Sequence, residues 1–197
     1  MDASKRRFMT LVGTTAMSLP LMANAFGDQS ISGASQLTDS PQDTARHERF
    51  MQMAIDEAIK NRRYPFGAVI VRHATGEVLA QGVNQSIENS MFHGEIVAMN
   101  NLVARHGNDI WNELALYTTG EPCAMCMGAM AWAGLPHVIW ASSMATISAS
   151  GIDQIDISAR QVAALASSFY QPRLLVGGIL AAKTDQLFRS RLDSMGG

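Results

Sequence analysis

Helical spacing of apolar residues marks five segments of the chain. An apolar face that recurs every three or four positions predicts an amphipathic helix. Ser158 is the first residue of one such segment, and a serine hydroxyl at that position caps a helix well. The spacing therefore predicts helices over residues 47–61, 93–105, 123–133, 158–169 and 180–192.

Short runs of branched apolar residues alternate with these segments. The runs "PFGAVIVRH" and "EVLAQGVN" are joined by "ATG", which predicts a β-hairpin. Three more runs, "LALYTT", "HVIWAS" and "RLLVGGI", predict strands near residues 114–119, 137–142 and 173–179. Because strands alternate with helices, the expected fold is a three-layer α/β/α sandwich around a mixed five-stranded sheet.

Residues 1–25 have the three-part pattern of a secretory signal. Residues 5–7 are basic, residues 8–22 are mostly apolar, and the Ala-Asn-Ala at residues 23–25 is a small-x-small cleavage site. The segment "SKRRFMT" also resembles the twin-arginine export motif, with a lysine in the first basic position. We therefore expect an exported, periplasmic protein that has no membrane anchor after cleavage.

Composition favours one globular domain and gives no sign of a polyanionic partner. The chain has 197 residues, of which 47% are apolar and 16% charged, enough for a buried core. The formal net charge is -2, and a nucleic-acid binder would more often be strongly basic. Residues 26–46 are rich in Ser, Gly, Asp and Gln and predict a flexible leader, which leaves residues 47–197 as the folded domain.

The two cysteines of the chain follow a proline, three residues apart, at the start of a predicted helix. His93 and Glu95 open the preceding predicted helix, and Cys123 and Cys126 open this one. Zn²⁺ prefers imidazole and thiolate ligands, and a catalytic zinc site keeps a fourth position for water. Residues three apart share one helix face, and the helix N-terminus favours thiolates. These patterns predict one zinc ion held by His93, Cys123 and Cys126, with Glu95 as the catalytic proton-transfer group.

Other interpretations of the cysteine pair are open. A C-x-x-C pair in an exported protein is often a redox pair or a structural disulfide, but that role leaves His93, Glu95 and Pro122 unexplained. A structural zinc site normally has four protein ligands, and the chain has no third cysteine.

Several residues near these motifs are given structural interpretations. Trp132 is expected in the core or the pocket wall, and Arg189 and Arg191 are expected on a solvated helix face. The remaining histidines are interpreted as surface or capping residues: His47, His73, His106 and His137.

With these residues in view, the chain resembles the cytidine deaminase superfamily, and within it the guanine deaminases and tRNA adenosine deaminases. The paired H-x-E and P-C-x-x-C patterns are the signature of zinc deaminases. The resemblance also covers "PFGAVIV", Asn84 in "GVN", "EPCAMCMGAMAWA" and "GGILAAKTDQLFR". It implies a cytidine deaminase-like fold, one zinc ion, hydrolytic release of ammonia from a base, and usually a homodimer. It further implies that Asn84 binds the base, that Phe66 lines the pocket, and that the backbone N–H groups of Gly94 and Cys123 contact the base edge.

Two departures from the family pattern bear on the substrate. Gly94 stands where relatives often have alanine, within the altered loop "NSMFHGE". Guanine deaminases often carry an acidic pair where this chain has "GIDQID", with Asp153 and Asp156 separated. Either aspartate is a candidate proton shuttle, although a plain loop role is slightly preferred. The prediction is a deaminase of a small aminated base or nucleoside, with guanine favoured and no nucleic acid as partner. A tRNA adenosine deaminase-like editing enzyme is the alternative, and a C-x-x-C redox protein a distant one.

Overall fold

A computed structural model describes residues 40–191 of the chain. The predicted signal peptide and residues 26–39 of the predicted leader lie outside the described residues. Six α-helices and five strands follow one another in the described part, with a short 3-10 helix at Trp111–Glu113 before β3. In chain order they are α1 (Pro41–Ala58), β1 (Gly67–Arg72), β2 (Val78–Val83), α2 (Gly94–His106), β3 (Leu114–Gly120), α3 (Ala124–Ala133), β4 (His137–Ser142), α4 (Met144–Ala149), α5 (Ala159–Leu165), β5 (Leu174–Val176) and α6 (Ala181–Ser190).

The five strands form one mixed sheet in the order β2-β1-β3-β4-β5. Strand β1 pairs antiparallel with both β2 and β3, whereas β3, β4 and β5 run parallel. The predicted hairpin and the predicted five-stranded mixed sheet are therefore confirmed.

The central strands are buried on both faces, because a helical layer covers each side of the sheet. Leu114 and Leu116 of β3 belong to a core shared with α2, α3 and α5, while Ala115 and Tyr117 of the same strand pack against α1. This alternation is the two-residue period of a strand. A strand buried on both faces needs apolar side chains at every position, which explains the continuous run "LALY".

Helix α1 begins six residues earlier than the apolar pattern predicted. Ser40 caps it by accepting a hydrogen bond from the Asp43 backbone N–H at 3.1 Å, and Pro41 occupies the first turn. Residues 41–46 are polar except for Pro41 and Ala45, so they carry no apolar periodicity, although the serine and proline are helix-start signals. Strand β5 has only three residues, fewer than the predicted run of residues 173–179. The short helix α4, which follows β4, was not predicted.

The sheet topology gathers several loops at one edge. The carboxyl ends of the parallel strands β3 and β4 lie there, and β1, being antiparallel to β3, starts at the same edge. In open α/β sheets, ligands bind outside the carboxyl ends of the parallel strands. Within residues 40–191, none of the helices combines the length and apolarity needed to cross a bilayer.

Candidate metal centre and active site

The N-termini of two helices carry the three predicted zinc ligands. His93 is the residue before α2, and Cys123 is the residue before α3, with Cys126 in the first turn of α3. Both His93 and Cys123 have extended backbone conformations, and neither side chain caps its own helix. Both side chains are therefore available to bind another group.

The three donor atoms converge at the distances that a tetrahedral zinc site requires. The Nδ1 atom of His93 lies 3.5 Å from Sγ of Cys123 and 3.6 Å from Sγ of Cys126, and all three atoms lie within 4.8 Å of one another. Zinc–nitrogen bonds of about 2.0–2.1 Å and zinc–sulfur bonds of about 2.3 Å would separate these atoms by about 3.5 Å. The residues therefore fit Zn²⁺, with a fourth position for a non-protein ligand. Both cysteines are free of disulfide bonding.

The groups around the centre favour the thiolate form of Cys123, the partly exposed cysteine. The Cys126 thiol beside it, together with His93, lowers the pKa of Cys123 to about 4. The neighbouring Cys123 sulfur and burial raise the pKa of Cys126, while the contact with Cys123 raises the pKa of His93. Because zinc binds thiolates and neutral imidazole, metal binding at this centre competes with protons for Cys126 and His93.

Glu95 lies beside the metal donors in a fully enclosed position. Its side chain is 2% exposed, and Oε1 accepts a hydrogen bond from the Thr118 hydroxyl at 3.1 Å. Its other oxygen lies 3.7 Å from Sγ of Cys126. Burial, followed by the Cys123 charge, raises the pKa of the Glu95 carboxyl. A carboxyl group whose proton affinity is raised in this way suits general acid–base chemistry at neutral pH.

A cavity of about 360 Å³ opens above these residues, a size within the usual range of small-molecule sites. It brings His93, Glu95 and Cys123 together with the predicted substrate contacts Phe66 and Asn84. Cys126 and Gly94 are not among the lining residues. The full lining is Tyr64, Phe66, Asn84, Ser86, His93, Glu95, Glu121, Cys123, Gly151, Ile152, Asp153, Gln154 and Arg191.

Asn84 presents hydrogen-bond donors at this site. Its Oδ1 already accepts from the backbone N–H and the hydroxyl of Ser86, at 3.0 and 2.7 Å. Its backbone is tied to the Phe66 carbonyl and to the Asn61 side chain at 2.9 and 2.8 Å. The Nδ2 group of Asn84 is therefore its remaining side-chain donor, suited to an acceptor atom on a ligand.

The structure separates the two candidate proton shuttles. Asp153 lines the cavity, whereas Asp156 is not part of its lining. Arg191, expected on a solvated face, is only 5% exposed and also lines the cavity, so that prediction was wrong. Tyr64, Glu121 and Gln154 were missed as well. Glu121 and Gln154 lie in the quoted stretches "EPCAMCMGAMAWA" and "GIDQID", but no role was predicted for either of them, and Tyr64 lies outside every motif.

Gly94 allows a close approach between α2 and the start of β1. A Cβ atom at Gly94 would lie 2.6 Å from the Phe66 carbonyl oxygen, which is backbone and cannot turn away. We expect Gly94→Ala to displace the start of α2, costing about 1–3 kcal/mol of stability and lowering zinc occupancy. Thermal unfolding and metal analysis measure both effects.

Gly128→Ala is the matched control for this prediction. Gly128 lies inside α3, and a Cβ there meets nothing within 4 Å. Alanine favours a helix interior over glycine by up to about 1 kcal/mol, so this variant should keep its zinc and its stability. Equal behaviour of the two variants would contradict the packing argument.

Comparison with known proteins places this geometry in a family. Residues 44–142 match the family described as "Cytidine and deoxycytidylate deaminase zinc-binding region". A tRNA-specific adenosine deaminase of Streptococcus pyogenes serotype M18 is 39% identical over 99 residues, covering 48% of this chain and 61% of that protein. The guanine deaminase of Bacillus subtilis strain 168 is 32% identical over 113 residues, covering 54% of this chain and 71% of that one. The chain thus spans about 60% of the length of the curated adenosine deaminase that it matches.

Solved structures give the same result for the fold. The X-ray structure of the Bacillus subtilis guanine deaminase has a TM-score of 0.51 at 32% identity, covering 55% of this chain and 71% of that one. The guanine deaminase of Nitrosomonas europaea has a TM-score of 0.64 at 21% identity, covering 80% and 96% of the two chains. The sandwich fold, the three converging donors and the matched segment agree: the chain belongs to the cytidine and deoxycytidylate deaminase family and carries that family's zinc-binding region.

Proposed function

We propose that the protein is a zinc-dependent hydrolytic deaminase that releases ammonia from a small aminated base or nucleoside, with guanine favoured. The observation that carries this proposal is the convergence of His93, Cys123 and Cys126 beside the enclosed carboxyl of Glu95. These groups meet at a cavity of small-molecule size.

The zinc ion would be held by His93, Cys123 and Cys126. When bound there, it would act as a Lewis acid that lowers the pKa of a water molecule towards neutrality. The Glu95 carboxylate then accepts a proton from the attacking water, whose oxygen bonds to the ring carbon bearing the amino group. Glu95 delivers that proton to a ring nitrogen. It then takes the remaining proton of the added hydroxyl group and passes it to the amine, so the bond between the ring carbon and the amine breaks and ammonia leaves. Atoms balance, because water supplies the oxygen of the product and one hydrogen of ammonia.

One hydrogen bond and the burial of its side chain prepare Glu95 for this role. The Thr118 hydroxyl fixes one carboxylate oxygen, so the other is available for proton transfer. Burial of the side chain excludes bulk water, which strengthens its interaction with the reacting groups.

Residues across the cavity supply complementary contacts for a purine edge. The Phe66 ring offers an apolar wall, and the Nδ2 group of Asn84 donates to a carbonyl oxygen or ring nitrogen. Asp153 supplies an acceptor for a ring N–H or an amino group, which adds to its candidacy as a proton shuttle. Guanine has a carbonyl oxygen and ring nitrogens that could accept from Asn84, and N–H and amino groups that could donate to Asp153. The guanine deaminases among the relatives support this choice.

A tRNA-editing adenosine deaminase is the second candidate, favoured by the 39% identity to the Streptococcus pyogenes protein. The negative net charge argues against it, since binding to nucleic acid needs several Lys or Arg side chains in contact with phosphates. The test is a side-by-side comparison of initial rates on guanine, adenine, cytosine, their nucleosides and a tRNA anticodon stem-loop. We expect the highest kcat/KM on a free base, with guanine leading. A clear preference for the stem-loop would overturn the proposal in favour of the editing enzyme.

Export to the periplasm remains part of the proposal. The twin-arginine-like segment in residues 1–25 supports it, and cleavage would leave a mature chain with a formal charge of -4, because those residues carry three basic and one acidic side chain. A protein exported after folding would carry its zinc already bound, which protects the thiolates from oxidation. The test fuses a reporter protein to this chain. A fusion that stays in the cytoplasm and keeps residues 1–25 would contradict export.

A homodimer is also proposed, with the outer side of α3 and α5 as its contact surface. Trp132, Leu165 and Phe169 are 80%, 77% and 56% exposed there, so the expectation of a buried Trp132 was wrong for a single chain. The Trp132 and Phe169 rings stack at 4.7 Å. Helix α3 contains no charged residue, and a helix without a polar face is normally covered. Light scattering that finds a monomer at micromolar concentration would refute this part.

A further inference from the structure

Glu121 joins the cysteine segment to two later helices. Its Oε2 accepts a hydrogen bond from the Met144 backbone N–H, and its Oε1 accepts one from the Ala159 backbone N–H, each at 3.0 Å. Met144 and Ala159 are the first residues of α4 and α5. The hydroxyl groups of the capping serines, Ser143 and Ser158, accept hydrogen bonds from the next N–H groups but one, those of Thr146 and Gln161. One carboxylate therefore satisfies first-turn donors that a helix cannot satisfy by itself.

Arg191 holds the opposite end of α4. Its Nε and Nη2 atoms donate to the Ser150 carbonyl at 3.3 and 2.9 Å, and Nη1 donates to the Arg63 carbonyl at 3.3 Å. Ser150 is the residue that ends α4. A negative group at the N-terminus of a helix and a positive group at its C-terminus both match the helix dipole. A six-residue helix is too short to be stable alone, so such contacts decide where it lies.

The segment after α4 forms one wall of the cavity. Residues 151–154 all line it, including the candidate shuttle Asp153. The segment is fixed at both ends, since Arg191 holds Ser150 before it and Glu121 holds Ala159 after it. Glu121 and Arg191 also line the cavity themselves.

We propose that Glu121 and Arg191 are positioning residues, which clamp α4 and thereby hold residues 151–154 in the place where they select the substrate. This inference rests on the proposed function and adds to it a determinant of base preference outside the zinc centre. It predicts that loosening the clamp weakens and broadens substrate binding while the zinc centre stays intact.

Glu121→Gln tests one end of the clamp. A carboxylate has two oxygens for two N–H donors, whereas an amide has one oxygen, and its NH₂ group would face the second donor. One of the two helix starts should therefore lose its partner. Arg191→Met tests the other end from a residue outside the cysteine segment, and it stays informative if Glu121→Gln folds poorly. Arg189→Met is the matched control, since that arginine is 71% exposed and pairs only weakly with Asp185 at 3.6 Å.

Hydrogen exchange, metal analysis and kinetics together decide the proposal. In both clamp variants we expect amide exchange across residues 150–157 to rise at least about 10-fold, with one zinc per chain retained. The KM for the preferred base should rise at least about 10-fold with a smaller change in kcat, and the rate ratio between bases should flatten. Arg189→Met should match the wild type in all of these.

Unchanged exchange in both clamp variants would overturn the clamp. Faster exchange with unchanged KM and unchanged base preference would overturn its role in substrate selection. If the wild type releases no ammonia from any base, the proposed function fails, while the exchange data still decide whether the clamp holds the segment.

Discussion

Glu95→Gln is expected to lower the rate of ammonia release by at least about 10²-fold, the low end of general acid–base catalysis, while zinc content and fold are retained. Glutamine keeps the size of the side chain and still accepts the Thr118 hydrogen bond, but it cannot hold or deliver a proton. Because Glu95 is not a zinc ligand in this account, metal analysis should still find one zinc per chain. The loss should appear in kcat rather than in KM, since proton transfer belongs to the transition state.

Glu88→Gln makes the same chemical change on an exposed loop residue outside the cavity lining. It should leave kcat, KM and zinc content unchanged. If Glu95→Gln turned over at a rate near that of the wild type, Glu95 could not be the proton-transfer group. If it lost zinc, the position of Glu95 beside the centre would be structural.

Cys126→Ala is expected to lower zinc occupancy from one per chain to below about 0.1 and to lower the melting temperature. The ligand bonds tie the start of α2 to the start of α3, and binding free energy at such a site contributes directly to folding. Cys126 is fully buried, so the alanine also leaves a small cavity in the core. Cys123→Ala should lose zinc in the same way, with a smaller packing cost because that side chain is partly exposed.

Met127→Leu provides the control for the core around the centre. Met127 is fully buried next to Cys126 but offers no zinc ligand in this site, and such swaps usually cost less than about 1.5 kcal/mol. It should retain zinc. The redox alternative makes the opposite prediction for the wild type: freshly exported protein without zinc, carrying a quantitative Cys123–Cys126 disulfide.

The helices and strands could be predicted where their apolar pattern is set by burial. Strand β4 lies where the run "HVIWAS" predicted it, because both of its faces are covered and its four central positions, residues 138–141, are apolar. Helix α5 starts at the predicted serine cap, where Ser158 and Gln161 form a capping box. Polar or short elements escaped prediction. The start of α1 lacks apolar periodicity, and α4 has only six residues, with Glu121 and Arg191 bound to its two ends through contacts that only the folded chain brings together.

The zinc ligands were predictable because metal chemistry restricts both residue type and spacing. One histidine and two cysteines at helix starts leave few alternatives, and the three donors converge as expected. The remainder of the cavity follows no such rule. Arg191 has the sequence context of a surface residue, yet it is buried and donates hydrogen bonds to two backbone carbonyl groups. His47 in α1 and His137 in β4, expected at the surface or at caps, are only 6% and 7% exposed. The Tyr117 hydroxyl and the Leu114 carbonyl satisfy their Nδ1 atoms in these buried positions, and the sequence gives no sign of either partner.

The measurement that tests the central claim most directly is ammonia release by the mature protein before and after removal and return of zinc. The chelated protein should release no ammonia from guanine, and zinc should restore the rate in proportion to occupancy, reaching its maximum at one ion per chain. A rate that is independent of zinc, or a fully zinc-loaded protein that releases no ammonia from any aminated base or nucleoside, would contradict the account.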